Sequence, residues 1–392
     1  MRAKGRRESP EDPFGKDHRA SEFSHPLPNQ ERRQEMKMKK SLLTVMGVLF
    51  LVLVTTGQAL AFDKVRFAII SDLHMSIPQQ KGVAGSSVMA VSKLGLQAVM
   101  LAENTIAAIN QIPDLKFVLV AGDLTQDAEP WNLDEIHRIL DRLKVPYFVV
   151  LGNHDTSLVP HEKKDQPLTV SKYTVASAFV GRGMVSGMTY YSHMVAKDLV
   201  LVGLDSTHSA RIFVPELNSN DAGGEINAGQ MRWLERTLKT NQNKTIIILT
   251  HHSLVPWAES EKTEHTYWRW FWIDNAEEVR AVLKKYGVKI VFSGHDHLST
   301  RYQTVDNIYH FMNPAINVYP MRYTVYEITP KELSWEVKNV PASSEIWELA
   351  KKNLLACKGC RRPEYPDTPE GNEKYLEFHE SPGTMKGKII YR

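Results

Sequence analysis

Aspartate, asparagine and histidine recur in this chain at one kind of place, immediately after a short apolar run. Ser71-Asp72-Leu73-His74 follows the run 65–70, Gly122-Asp123 follows 117–120, and Gly152-Asn153-His154-Asp155 follows 147–151. Thr250-His251-His252 follows 245–249, and Ser293-Gly294-His295-Asp296-His297 follows 290–292. These side chains offer the oxygen and nitrogen donors that suit first-row metal ions. The Asp-x-His and His-x-His spacings let two side chains leave one short loop on the same side. Glycines ahead of Asp123, Asn153 and His295 permit tight turns and close backbone approach. Taken singly, an Asp after a strand is a helix cap and a lone His is core packing. Five strand ends in succession that carry such donors point instead to a metal centre. The donors are too many for one ion with an open position. They suit two ions sharing a carboxylate, which at about 3.5–4 Å apart acidify a bridging water and brace both ends of an in-line phosphoryl displacement.

Something must hold these loops at a common edge. The runs 65–70, 117–120, 147–151, 199–204, 245–249 and 290–292 read as strands, and all are strongly apolar. Strands of that kind are buried on both faces, so helices should cover the sheet. Helical spacing of apolar residues runs through 96–112, 131–143, 230–238 and 276–286. From 301 to 337 the pattern turns β-rich with no helix between. In α/β sheets a site lies beyond the carboxyl ends of the strands, where the donors stand. The expected catalytic domain spans 62–340, with 341–392 as a C-terminal tail.

The donor motifs resemble those of the calcineurin-like metallophosphoesterases. That family carries D-x-H, G-D, G-N-H-[DE], a mid-chain His and G-H-x-H in this order. Here they stand as Asp72-Leu73-His74, Gly122-Asp123, Gly152-Asn153-His154-Asp155, His251 and Gly294-His295-Asp296-His297. The resemblance covers about 64–330 and implies an α/β fold, a four-layer αββα sandwich. It implies that Asp72, His74, Asp123 and His297 hold one metal. Asp123 would bridge to a second, held also by Asn153, His251 and His295. His154 would be the catalytic residue, orienting the phosphate and giving a proton to the leaving-group oxygen. Within the family, Leu204-Asp205-Ser206, the Gln230-x-x-Trp233-Leu234 helix and His251-His252 resemble the bacterial cyclic-nucleotide and glycerophosphodiester phosphodiesterases. The mixed donors accept iron, manganese or zinc, as two divalent or trivalent ions.

Around this centre several residues have two readings. His252 either touches phosphate or packs behind its neighbour. His208 and Arg211, in the loop 206–225, are candidate substrate contacts or solvated loop residues. The Gly- and Ser-rich stretch 75–94 reads as a flap beside the metals, and no lysine-bearing phosphate loop follows it. The aromatic stretch 267–272 could be a lid or base-stacking wall, a hydrophobic anchor, or the contact of a homodimer.

The N-terminus has a different character. Residues 1–35 are polar and aperiodic and read as a disordered extension. Residues 36–61 carry a basic flank (Lys37, Lys39, Lys40), an apolar run at 42–54 and an Ala59-Leu60-Ala61 pattern, the three parts of a secretory signal peptide. The run is short for a membrane span, which takes about 20 residues; an uncleaved anchor is the alternative. Signal peptides begin near their start codon, so translation is expected to start at Met36 or Met38. The first 40 residues carry a net +4 and the rest −1, and the near-neutral body gives no footprint for nucleic acid. Cys357-Lys358-Gly359-Cys360 reads as a small disulfide loop in an oxidising compartment. The whole describes an exported, periplasmic or extracellular, dinuclear-metal phosphoesterase. It would hydrolyse phosphodiester bonds of a small substrate by attack of a metal-bridging hydroxide. A phosphomonoesterase of the same fold and a catalytically silent metal-binding envelope protein are the alternatives; the non-ligand His154 argues against silence.

Overall fold

The structure, a computed structural model, describes residues 62–77, 92–160, 168–215, 219–262 and 270–391, with part of a short helical stretch between 33 and 41. The signal-peptide segment beyond residue 41, the flap residues 78–91 and residues 267–269 of the aromatic stretch lie outside the described residues. Residues 60–392 form one compact unit. No described helix is long and apolar enough to cross a membrane.

Two six-stranded sheets make up the body. The first runs, in spatial order, Lys386–Ile390, Glu332–Asn339, Arg322–Ile328, Val65–Ile70, Leu115–Val120 and Tyr147–Val149. Its last three strands are parallel to one another, and the rest join antiparallel. The second runs Arg301–Val305, Ile308–Met312, Ile290–Ser293, Thr245–Leu249, Leu199–Gly203 and Tyr191–Ala196, with its four central strands parallel.

Strand alternation shows how the layers stack. In the second sheet Leu199, Leu201, Ile247, Leu249, Ile290 and Phe292 join one core, while Val200, Val202, Ile246, Ile248 and Val291 join another. Side chains alternate faces along a strand, so these are its two sides. The first core lies between the sheets: Phe67 stacks on Phe117 at 5.0 Å and meets Phe292 of the other sheet edge-on at 5.8 Å. The second is closed by Leu234 and Leu238 of helix Ala228–Thr240 and by Ala276, Val279 and Leu283 of helix Ala276–Lys285. Helices Ala98–Ile109 and Pro130–Leu140 bury Leu101, Ile106, Ile136 and Ile139 in the core that contains the first sheet. The four-layer α/β sandwich follows from strands buried on both faces, and it explains why the strand runs lack polar alternation.

The segment from 341 onward is not an appended tail. Helices Ser344–Ala356 and Pro369–Glu380 fold against the body, and Lys386–Ile390 adds the edge strand of the first sheet beside Glu332–Asn339. Leu354, Tyr375 and Ile389 enter the central core. Its Pro- and Glu-rich composition hides three widely spaced anchors, too sparse for a periodic signal. Cys357 and Cys360 are joined as a disulfide between these helices.

Candidate metal centre

The loops that leave the parallel strands are tied to each other before any side chain is considered. The N–H of Asp72 donates to the carbonyl of Gly122 at 3.0 Å, that of His74 to Asp123 at 2.8 Å, and that of Gly294 to His251 at 2.9 Å. Asp155 acts as a brace. Its carboxylate accepts from the N–H groups of Leu124 (3.1 Å), Thr125 (2.9 Å) and Gly152 (2.9 Å), fastening the Asp123 loop to the Asn153 loop. Asp72, His74, Asp123, His295 and His297 all have positive φ, from 39° to 77°. Each such non-glycine residue costs on the order of 1–3 kcal/mol, and such strain gathers at functional sites. Gly122 sits at φ 90°, and a Cβ there would lie 2.6 Å from His251 Nδ1, so the turn and the close approach both require glycine.

The side chains converge as two groups. Asp72, His74, Asp123 and His297 bring one donor atom each within 4.8 Å of one another. His74 Nε2 lies 3.0 Å from His297 Nε2, which lies 3.3 Å from Asp72 Oδ1. In the other group His251 Nε2 lies 3.1 Å from both Asn153 Oδ1 and His295 Nδ1. Asp123 faces both. Its Oδ2 is 3.5 Å from His74 Nε2 and its Oδ1 3.4 Å from His251 Nε2.

Hydrogen bonds set the tautomers. His251 Nδ1 donates to the Ala121 carbonyl at 2.8 Å, and His295 Nε2 donates to the Trp270 carbonyl at 3.0 Å. With both rings neutral, each would turn a lone pair toward the other, at 3.1 Å. Facing lone pairs repel unless a cation lies between them; the donor set fits a metal ion there, and without one a proton on His251 takes that place. The electrostatics agree. Burial opposes the charge on Asp123, but the His251, His154 and His74 rings overcome it and hold the carboxyl well below the usual range. Burial would keep His251 neutral, yet Asp123 pushes it up to about 9.

His154 belongs to neither group. Its backbone N–H donates to Asp123 Oδ1 at 2.8 Å. Its ring Nδ1 faces the Gln126 carbonyl and Asp127 Oδ1, the latter at 3.3 Å, and its Nε2 lies 3.2 Å from Lys93 Nζ.

The pattern of the calcineurin-like phosphoesterase family matches residues 65–299. This chain belongs to that family. It is a metal-dependent phosphoric ester hydrolase, in the family whose motifs the strand ends carry. A probable cyclic nucleotide phosphodiesterase of Psychrobacter arcticus is 24% identical over 272 residues, which cover 67% of this chain and 81% of the relative. A 3′,5′-cyclic-nucleotide phosphodiesterase of Nostoc is 23% identical over 261 residues, covering 64% and 78%. A manganese-dependent ADP-ribose/CDP-alcohol diphosphatase of Arabidopsis thaliana is 22% identical over 283 residues, covering 62% and 83%.

Of the three candidate substrate contacts in this phosphoesterase, one reaches the site. Arg211 is buried, pairs with Asp127 Oδ1 at 2.5 Å and lies 3.5 Å from His154 Nδ1. His252 is a correction. It is wholly buried, and both ring nitrogens are engaged, Nδ1 with Ser206 Oγ at 2.8 Å and Nε2 with the Ala222 carbonyl at 2.9 Å. Burial holds its pKa down to about 3, so it is a neutral packing residue behind His251 and offers nothing to phosphate. His208 is held elsewhere, by an ion pair to Asp221 at 2.8 Å. In the aromatic stretch, Trp270 holds His295 through its carbonyl, and the Phe271 ring lies 5.5 Å from the His295 ring, so these residues act as walls of the second group.

Two features escaped sequence reasoning. Lys93, at the end of the stretch read as a flap, is buried against the site. Burial lowers its pKa to about 8, against the pull of Asp123. Arg362, from the supposed tail, is buried with Asp296, the residue between His295 and His297. Neither stands in a recognisable motif, and both reach the site only through tertiary packing.

Proposed function

We propose that this phosphoesterase is a dinuclear enzyme that hydrolyses phosphodiester bonds, with small cyclic nucleotide-like diesters as substrates. Asp72, His74, Asp123 and His297 hold one ion, and Asp123, Asn153, His251 and His295 hold the other. The observation that carries this reading is the division of Asp123, one oxygen toward each group of donors. When bound, two such ions supply an acidified water as nucleophile and charge to stabilise an in-line displacement. The chain's own residues do the rest. Asp155 holds the Asp123 and Asn153 loops in register. The Ala121 and Trp270 carbonyls fix which nitrogen His251 and His295 present. His154, with Nδ1 anchored and Nε2 beside Lys93, gives a proton to the departing oxygen, and Asp127 with Arg211 sets its orientation. The names of the bacterial relatives support the diester preference. Iron, manganese and zinc all suit the donors.

We also propose export, supported by the order of basic flank, apolar run and Ala59-Leu60-Ala61 in residues 36–61. Sequencing the N-terminus of the secreted protein should find Phe62. The catalytic reading is tested by metal content together with turnover of bis(p-nitrophenyl) phosphate and p-nitrophenyl phosphate. Two metal equivalents and faster diester hydrolysis are expected. Two equivalents with no turnover of either would mark a silent binding protein, and faster monoester hydrolysis would mark a monoesterase.

A further inference from the structure

The ligand histidines differ in what stands behind them. His251 and His295 each give their second nitrogen to a backbone carbonyl, at 2.8 and 3.0 Å. His74 instead has Lys93 Nζ 2.9 Å from its Nδ1. Lys93 is 7% exposed. Among the described residues its other hydrogen-bond partners are His154 Nε2 at 3.2 Å and Gln126 Oε1 at 3.4 Å, and none is a carboxylate. A buried ammonium without a carboxylate partner is costly. Donor and acceptor accounting makes the position more telling. His74 turns Nε2 toward the donor group, 3.0 Å from His297 Nε2, so a ligating His74 carries its proton on Nδ1. That N–H then faces an N–H donor, and Lys93 needs a different acceptor. Of the nearby carboxylates that compensate Lys93, Asp123 and Asp72 would give their charge to the metals, and Asp127 is already paired with Arg211 at 2.5 Å. What is missing is an anionic oxygen beside His154 Nε2, where this reading puts the scissile phosphoryl group.

We propose that Lys93 is a substrate-binding residue that takes a phosphoryl oxygen next to His154, and that it equips the site for phosphoryl groups carrying two negative charges. The inference rests on the reading of the site as a phosphoester-hydrolysing metal centre. A phosphodiester carries one charge, which the metals already meet. A phosphomonoester, including the product of diester cleavage, carries two, and the second is the one Lys93 meets. Hydrolysis of such a monoester forms a P–O bond to water and breaks the P–O bond to the alcohol. One water proton ends on the alcohol oxygen and the other stays on the released phosphate.

The test uses the full chain loaded with manganese, with Lys93→Met and Lys93→Gln as neutral variants and Lys93→Arg as the charged one. Binding of inorganic phosphate is measured by calorimetry beside turnover of the monoester and the diester. Loss of one charged donor to a phosphoryl oxygen is worth about 10²-fold. Both neutral variants should keep two metal equivalents and bind phosphate at least about 10-fold more weakly. Their kcat/KM should fall about 10²-fold for p-nitrophenyl phosphate and under about 10-fold for the bis ester, with Lys93→Arg recovering most of the loss. Unchanged phosphate affinity in both neutral variants overturns the proposal. So does loss of a metal equivalent, which would make Lys93 a prop for His74, or an equal fall for both esters. The two readings fail separately. Lys93-dependent phosphate binding without any turnover sinks the hydrolase assignment alone, and diester turnover with Lys93-independent phosphate binding sinks this one alone.

Discussion

Arg362→Met should unfold this phosphoesterase more easily and loosen its second group of metal donors. Arg362 is buried, with Nη2 2.5 Å from Asp296 Oδ1 and 2.7 Å from Glu261 Oε1, and Nε 2.8 Å from Glu261 Oε1. Its guanidinium also lies over the Phe271 ring at 4.5 Å. Methionine keeps much of the volume and leaves two buried carboxyls facing each other. Removing one partner of a buried ion pair costs about 3–5 kcal/mol. For a unit of this size that corresponds to a fall in Tm of roughly 4–7 °C. The loss should depend on pH in a definite direction. Burial and Glu261 already push the Asp296 carboxyl well above the usual range, with Arg362 opposing them. Without Arg362 the carboxyl rises further and takes a proton in the folded state. A group whose folded pKa is raised is penalised as pH rises past its unfolded value. The deficit should therefore be larger at pH 8 than at pH 5. Urea unfolding of the metal-free full chain, followed by tryptophan fluorescence, measures it. The triple variant with Glu261→Gln and Asp296→Asn, which removes the orphaned charges, should recover most of the stability. A deficit below about 1 kcal/mol at both pH values would show that Arg362 is incidental to the fold.

Other consequences are independent of that pair. Metal uptake at pH 7 should release a proton from His251, whose pKa of about 9 in the metal-free protein must be overcome, so affinity should climb with pH until about 9; calorimetry in buffers of differing ionisation enthalpy reads this, and zero proton release contradicts it. Asp123→Ala should lose turnover together with metal, by elemental analysis, and two retained ions at wild-type rate would remove the bridging role. His154→Ala should keep both ions and lose about 10²–10⁴-fold in rate with an alkyl leaving group but less with nitrophenolate; an equal loss for both would make His154 a positioning residue.

Much of this was legible because burial on both faces leaves an unambiguous trace. The run 245–249 reads as a strand and is one, Thr245–Leu249, since every residue in it is buried. The donors were legible because they follow such strands directly. What could not be read is what each imidazole does with its second nitrogen. His251 and His252 are neighbours of identical type, yet the chain sends one toward the Ala121 carbonyl and Asp123 and the other toward Ser206 and Ala222. No local pattern separates them, because the deciding partners lie 130, 46 and 30 residues away in sequence. Lys93 was invisible for the same reason. It arrives beside His74 through pairing of its backbone with Val318 and of Leu94 with Asn317, contacts that a Gly- and Ser-rich stretch does not advertise. The Arg362–Asp296 pair spans 66 residues and joins the metal loop to a segment whose composition resembles a tail. Motifs thus reveal the atoms that bind metal, whereas the charge around those atoms is supplied by residues without motifs. Differences in substrate charge among proteins that share one donor set should therefore trace to positions such as Lys93.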